Sequence, residues 1–450
     1  MDCFIINLGR FKDDDYTIGA FSIMNSLREE GLNVQYFSNL KDSLPLKKED
    51  FYHQEVFNEA TKAHDQLSSE ILSSINSNTK FVGFSVLDDN FYASLYYARA
   101  IKSRFQNIVI GFGGPFFTNP DTLNYDYSRI DWLDFFTTGE AQETIKTIAK
   151  YKFDLASVPE IQGLSYYREG VWVIRNHPRP FDHFKPTSYT TNFDNQEEIH
   201  TSFSIGCPYR CSFCTQHFHY PEYKLVPVED CIEILKPHAG KKLNFSDALI
   251  NSRTTWLKNL CQQIIDNDLN IFWQSWFRFG DHMNDLKLLN LLYESGCRSI
   301  RFGLESASSP VLKHMRKFHN EKIIYETFNK IRDLYTHGKI MLVKLNILVG
   351  YPNESEEDFQ KTLKFIYFNC DLINHVSVNS VIIQPKLDKF SAMIESGELT
   401  YSSGHDWSTK VSTPEVRKSR LLKIEELLNK CKIQHDIMGN DGLDKVITQK

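Results

Sequence analysis

Residues 201–220 read TSFSIGCPYRCSFCTQHFHY. An apolar, strand-like run, TSFSIG, delivers the chain into a loop carrying Cys207, Cys211 and Cys214, with His217 and His219 close behind. Thiolates at positions i, i+4 and i+7 of one loop can converge on one corner of a metal site. Zinc wants a fourth ligand, and His217 or His219 would complete a set of that kind. Structural zinc ligands, however, usually come as two short pairs, and no second pair stands anywhere in this chain. A disulfide accounts for only two of the three thiols. A four-iron cluster held by three cysteines would leave one iron open to a small molecule.

What surrounds the loop decides the fold. After TSFSIG come LNFSD, IFWQSW, SIRFGLE, MLVKLNILVG and VSVNSVII, alternating with amphipathic helices. The clearest helix has Ile324, Phe328, Ile331 and Tyr335 on one stripe and Gly338 past its end. Six strand–helix units over residues 201–385 predict a partial (β/α)6 barrel of the TIM type, whose chemistry sits at the carboxyl ends of the strands. The three cysteines follow the first strand, where such a site belongs. Residues 1–155 alternate in the same way through CFIINL, NVQYF, KFVGFSV, NIVIGF and WLDFF. Five strands separated by helices predict an α/β doubly wound parallel sheet. The polar span from Lys41 to Lys80 is expected to hold an extra helix. Residues 156–200 read as an ordered linker, with a hairpin at Glu169–Gly170 and then a run of prolines. Residues 386–450 form a small, mostly helical extension. Its helix runs through Leu421, Ile424, Leu428 and Cys431, with Arg417, Lys418, Arg420 and Lys423 on a solvated basic face.

Composition narrows the function class. The 450-residue chain is 24% charged and 41% apolar, with a net charge of −6. That balance suits a soluble globular protein and argues against nucleic acid as the main partner. No stretch approaches the roughly 20 apolar residues of a membrane span, and the start shows no secretion signal. The expected compartment is the cytoplasm, where thiols stay reduced. Of nine cysteines, the six outside the cluster (Cys3, Cys231, Cys261, Cys297, Cys370, Cys431) read as isolated core residues.

The C-x3-C-x2-C loop, with Phe213 just before its third cysteine, resembles the signature of radical S-adenosylmethionine enzymes. The resemblance implies that Cys207, Cys211 and Cys214 bind a 4Fe–4S cluster and that the methionine end of S-adenosylmethionine chelates the open iron. It implies an electron donor of the flavodoxin or ferredoxin kind. The S-adenosylmethionine contacts that it implies are Phe213; Asp247 in NFSDALIN, where many relatives have Gly-Gly-Glu; Arg278 in WFRFG; Glu305 and Ser306 in RFGLES; and Gly350 and Pro352 in LVGYPNES. Ordinary alternatives stay open: a solvated carboxylate for Glu305, a structural ion pair for Arg278, a plain turn at Gly350–Pro352. Tyr209, Tyr220, Tyr223 and Trp273 read as barrel-mouth residues able to shield a radical, or as packing.

The front segments VGFSVLDDNFYASLYYARAIK, NIVIGFGGPFFTNP and WLDFFTTGEAQETI resemble the cobalamin-binding domain attached to one large branch of these enzymes. The implied corrinoid contacts are Leu8, Gly9, Ser85, Leu87, Gly113, Gly114, Gly139 and Glu140. The Asp-x-His-x-x-Gly of histidine-ligating cobalamin domains is missing; NLGRFKDDDYTIG stands there, and the first histidine is His53. A lower axial histidine is therefore not expected. Together the two resemblances, over about residues 1–385, imply methyl transfer to an unactivated carbon of a natural product, peptide or small metabolite. Ring formation, rearrangement or peptide crosslinking, with or without cobalamin, is the radical alternative. A ligand-sensing Fe–S or zinc regulator is the non-enzymatic one. Neither a membrane nor nucleic acid is expected as partner.

Overall fold

Strand β1 (Cys3–Asn7) is buried at all five positions, as expected of a parallel strand packed by helices on both faces. It pairs in parallel with β2 (Val34–Ser38) and β3 (Phe81–Ser85). Beyond β3 come β4 (Val109–Gly113) and β5 (Phe135–Thr137), also parallel. The order β2-β1-β3-β4-β5 reverses direction between β1 and β3, the switch point outside which such sheets hold ligands. The period of two is visible in the packing. Phe4 and Ile6 face one side of the sheet, where α2 (Phe91–Arg104) brings Leu95, Ala98 and Ile101. Cys3 and Ile5 meet α1 (Ile18–Glu29) and α3 (Gln142–Lys150) through Met24, Leu27, Ile145 and Ile148.

This is a computed structural model, and it describes residues 1–8, 18–38, 72–87, 90–118, 127, 130–175, 188–193, 196–220 and 222–438. The chain divides into two units, Met1–Tyr189 with Phe218–Tyr220, and Thr190–His217 with Pro221–Lys450. Gly9, His53, the prolines after Arg175 and residues 41–71 of the span from Lys41 to Lys80 lie outside the described residues.

The hairpin expected in the linker instead extends the first sheet. Strand β6 (Leu164–Arg168) pairs antiparallel with β5 and with β7 (Val171–Val173). Its turn residues Glu169 and Gly170 have φ of 53° and 84°, the left-handed pair of a two-residue hairpin turn.

The second unit is built on an eight-stranded sheet in the order β19-β16-β15-β14-β13-β12-β9-β8. Its strands are β8 (Tyr189–Phe193), β9 (Gln196–Thr201), β12 (Lys242–Phe245), β13 (Phe272–Phe277), β14 (Cys297–Glu305), β15 (Leu342–Val349), β16 (Ile373–Ser380) and β19 (Gln434–Met438). From β9 to β19 the pairing is parallel. One face is apolar, with Ile300, Phe302, Leu345, Ile347, Val376 and Val378 buried. The alternating positions Gln274, Trp276, Arg301, Lys344 and His375 are only half-buried and polar or amphipathic. The first barrel strand ends where TSFSIG begins, because QEEIHT is polar at most positions and no apolar run marks it. Within TSFSIG, β10 (Ser204–Ile205) pairs antiparallel with β11 (Lys224–Leu225).

The tail departs most from expectation. Beyond helix α4 (Asp388–Glu395) and a small hairpin of β17 (Thr400–Tyr401) and β18 (Trp407–Ser408), α5 (Pro414–Lys430) leads into β19, which joins the main sheet beside β16. Its expected solvated basic face is half wrong, since Arg417 and Arg420 are 0% and 2% exposed. Arg417 donates to the carbonyls of His405, Trp407 and Ser412 and stacks on Trp407 at 3.8 Å. Arg420 pairs with Glu354 at 3.3 Å and Glu356 at 3.2 Å. The cysteine reading also needs correction. Cys3, Cys231, Cys261 and Cys297 are core, but Cys370 and Cys431 are partly exposed and stand side by side. Among the described residues, no helix is long and apolar enough to cross a membrane.

Candidate active site

Gly206, at φ 73°, turns the chain out of β10 into the cysteine loop, a conformation that a side chain would strain. Cys214 N donates to Cys211 O at 3.1 Å, folding the loop on itself. Between those cysteines, Ser212 pins it in three directions. Its N–H donates to Met315 O at 3.0 Å, its hydroxyl to His314 O at 3.1 Å, and the same hydroxyl lies 2.7 Å from Tyr351 OH. All three thiols are half-buried. Burial raises the Cys207 and Cys211 thiols against the pull of Arg278 and Lys317, and pushes Cys214 up to about 12. Among the described residues, no three His, Cys, Asp or Glu side chains converge on a single ion. His219, one of the two histidines weighed for zinc, has Nδ1 2.6 Å from Thr118 Oγ1.

The carboxyl ends of the next strands bring up the other candidates. Asp247, just past β12, is 1% exposed. Its Oδ1 accepts from Phe203 N at 3.0 Å and from Ser204 Oγ, while Oδ2 has no partner among the described residues. Burial outweighs those bonds and raises its carboxyl to about 6. Arg278 follows β13, its backbone held by Asn251 on both sides. Its guanidinium lies 3.8 Å over Tyr209 and 5.2 Å over Phe318, and Nη2 is buried without a partner among the described residues. Glu305 closes β14 at φ 62°, beside a register shift at Gly303/Glu305, strain of the sort stored at functional sites. It pairs with Lys317 at 2.9 Å, both side chains almost buried, and Lys317 Nζ lies 5.9 Å from the Phe213 ring.

These residues fit the groups that the cysteine loop suggests. Three thiols of one loop beside Arg278 and Lys317 suit an anionic iron–sulfur cluster, whose thiolates need positive surroundings. An unspent carboxylate oxygen on Asp247 and an unspent guanidinium nitrogen on Arg278 match the ammonium and carboxylate of an amino acid. Comparison with known proteins agrees, since residues 201–366 match the model of the radical SAM superfamily. These residues are a radical SAM domain. The ribosomal protein uS12 methylthiotransferase RimO of Thermosipho melanesiensis is 26% identical over 267 residues, 57% of this chain and 56% of that protein. The chain thus spans little more than half the length of that relative. Among solved structures, the radical S-adenosylmethionine methyltransferase TsrM of Kitasatospora setae covers 87% of this chain and 76% of its own, with a TM-score of 0.61 at 14% identity. The cobalamin-dependent S-adenosylmethionine radical enzyme OxsB, with aqua-cobalamin bound, covers 98% and 62%, with a TM-score of 0.53 at 14% identity. Both likenesses are of fold.

Within the radical SAM domain, several expected contacts have structural duties of their own. Gly350, at φ 78°, is needed because a Cβ there would lie 2.3 Å from Arg417 Cγ, and its N–H donates to Glu354 at 2.7 Å. The Pro352 carbonyl accepts from Thr409 at 2.7 Å. Ser306 is fully buried and its hydroxyl accepts from Ser308 N at 3.2 Å. Trp273 is no mouth residue: it stands near the start of β13, buried, with its indole donating to Ser295 O at 3.0 Å. Tyr223 bonds Ser252. Sequence reasoning missed Ser212, Lys317 and Tyr351. Their neighbours in the chain carry the signal, but their partners lie far away in sequence.

In the first unit, Leu8, Ser85, Leu87, Gly113, Gly114, Gly139 and Glu140 all fall at or just beyond the carboxyl ends of β1, β3, β4 and β5. At that edge Asn7 Oδ1 and Thr138 Oγ1 are buried without partners among the described residues, which fits a polar ligand. Leu87 N donates to Asn90 at 2.7 Å and Glu140 accepts from Gln142 N at 2.9 Å. Gly114 is explained by the chain itself, because a Cβ there would lie 2.6 Å from the Val86 carbonyl.

Proposed function

We propose that the chain is a cobalamin-dependent radical S-adenosylmethionine enzyme that transfers a methyl group to an unactivated carbon of a natural product, peptide or small metabolite. One observation carries the reading. The same chain joins a three-cysteine loop at the carboxyl edge of a partial barrel to a 2-1-3-4-5 parallel sheet whose own carboxyl edge carries buried polar atoms without partners among the described residues. The cobalamin-dependent fold neighbour supports it.

In this reading Cys207, Cys211 and Cys214 hold the 4Fe–4S cluster. The Asp247 carboxylate accepts from the ammonium of S-adenosylmethionine and Arg278 meets its carboxylate. Lys317 keeps Glu305 oriented through their buried ion pair, and Phe213 gives the site an apolar wall. Tyr209 and Phe318 cover the Arg278 guanidinium and limit its hydration. Leu8, Ser85, Leu87, Gly113, Gly139 and Glu140 border the corrinoid, and Gly114 keeps that loop closed on Val86. When bound, the cluster and S-adenosylmethionine supply a carbon-centred radical and the corrinoid a methyl group. An electron donor of the flavodoxin or ferredoxin class serves the cluster.

The test is anaerobic incubation of the reconstituted holoenzyme and a reductant with a small-molecule extract and S-adenosylmethionine deuterated in its methyl group. A product gaining one labelled methyl supports the proposal. A product that forms a ring or crosslink without label replaces it with the radical alternative.

A further inference from the structure

Cys370 and Cys431 hold equivalent places in consecutive helix–strand connections. Cys370 lies two residues beyond a helix, Glu356–Phe368, and three before β16. Cys431 directly follows α5 and stands three before β19. The two helices pack against each other, and their strands are parallel neighbours with His375 level with Gln434. Carried back along the chain, that register sets Cys431 level with Leu372, two residues from Cys370. Adjacent strands lie about 4.8 Å apart, so the two connections enter the sheet side by side. Burial, and then the Cys370 thiol within hydrogen-bonding reach, raise the Cys431 thiol. Both residues are partly open to solvent, so a small reagent can reach them.

We propose that Cys370 and Cys431 form a reversible disulfide site, closed by exchange with a low-molecular-weight disulfide of the glutathione type. The first thiolate attacks the reagent, breaking its S–S bond and releasing one glutathione thiol. The second attacks the resulting mixed disulfide, forming the protein S–S bond and releasing the other glutathione. Two protein thiols are oxidised by two electrons, one reagent disulfide is reduced, and the two protons end on the two glutathiones. The bond fastens the end of α5 to the barrel. That helix carries Arg417 and Arg420, which brace the loop from Gly350 to Glu354. Closure therefore ties the redox state of the surroundings to the rigidity of a loop that also holds Tyr351 against the cysteine loop.

The test uses reconstituted full-length holoenzyme, treated anaerobically with oxidised glutathione and digested without reductant. The expected product is one crosslinked peptide pair containing Cys370 and Cys431, reversed by dithiothreitol and forming before any other pair. In the Cys370→Ser and Cys431→Ser variants the remaining cysteine should stop at the glutathione adduct. The oxidised chain should also resist proteolysis around α5 longer than the reduced one. Recovery of Cys370 and Cys431 in separate glutathione adducts, or unmodified while other cysteines react, overturns the proposal. Equal proteolysis of a fully crosslinked chain overturns its bracing consequence.

Discussion

Asp247 occupies a place that costs stability. Its carboxyl rises from 3.8 to about 6, so between those values the folded chain holds a proton that the unfolded chain has released. Stability then falls as pH rises through that window, by about 3 kcal/mol in all. Asp247→Asn is expected to make the cofactor-free protein relatively more stable at pH 7.5 than at pH 4 while weakening S-adenosylmethionine binding. Denaturant midpoints at the two pH values, with a binding titration, check both effects; a stability difference independent of pH would refute the burial argument. Tyr351→Phe removes the bond to Ser212, worth about 1 kcal/mol. The variant should fold and yet lose iron to a chelator faster than the parent. Gly350→Ala meets both a positive φ and the Arg417 side chain, and should cost at least about 2 kcal/mol in a melting experiment. At this scale the cysteines, Asp247, Arg278 and Glu305 were legible as candidates because each stands at or beyond the carboxyl end of a strand in a marked segment. Ser212 and Tyr351 were not, since their bond spans 139 positions.

Helix α5 shows what periodicity reveals about an element and what it hides. The stripe of Leu421, Ile424 and Leu428 identified the helix, and all three are buried. The same pattern cannot say that Arg420 finds Glu354, a buried carboxylate whose carboxyl burial raises to about 7 even beside that arginine. Arg420→Ala would leave Glu354 uncompensated, at a cost of about 3–5 kcal/mol. The double variant with Glu354→Gln should recover part of that loss in urea unfolding. A single-variant cost below about 1 kcal/mol would mean that water reaches the carboxylate. Strands β9 and β19 escaped notice for a related reason: QEEIHT and QHDIM are polar at most positions, so neither reads as an apolar run. The β6–β7 hairpin was legible from Glu169–Gly170, but its partner β5 lay in a segment assigned to another part of the chain.

On the scale of the whole molecule, the sequence pattern was most informative where strands and helices alternate, because each carboxyl edge then collects residues from distant segments. That geometry puts three cysteines, a carboxylate and a guanidinium on one edge of the barrel, and the seven corrinoid candidates among the described residues at or just beyond the strand ends of the first sheet. Residues 201–366 match the radical SAM superfamily, and the claim that depends most on the first sheet is that it carries a corrinoid. The most direct measurement is the iron and corrinoid content of the chain after anaerobic reconstitution with iron, sulfide and hydroxocobalamin, followed by gel filtration. The account predicts about four irons and about one corrinoid per chain, with the iron lost and the corrinoid kept in the Cys207→Ala/Cys211→Ala/Cys214→Ala variant. A chain that keeps its iron but elutes free of corrinoid would contradict it.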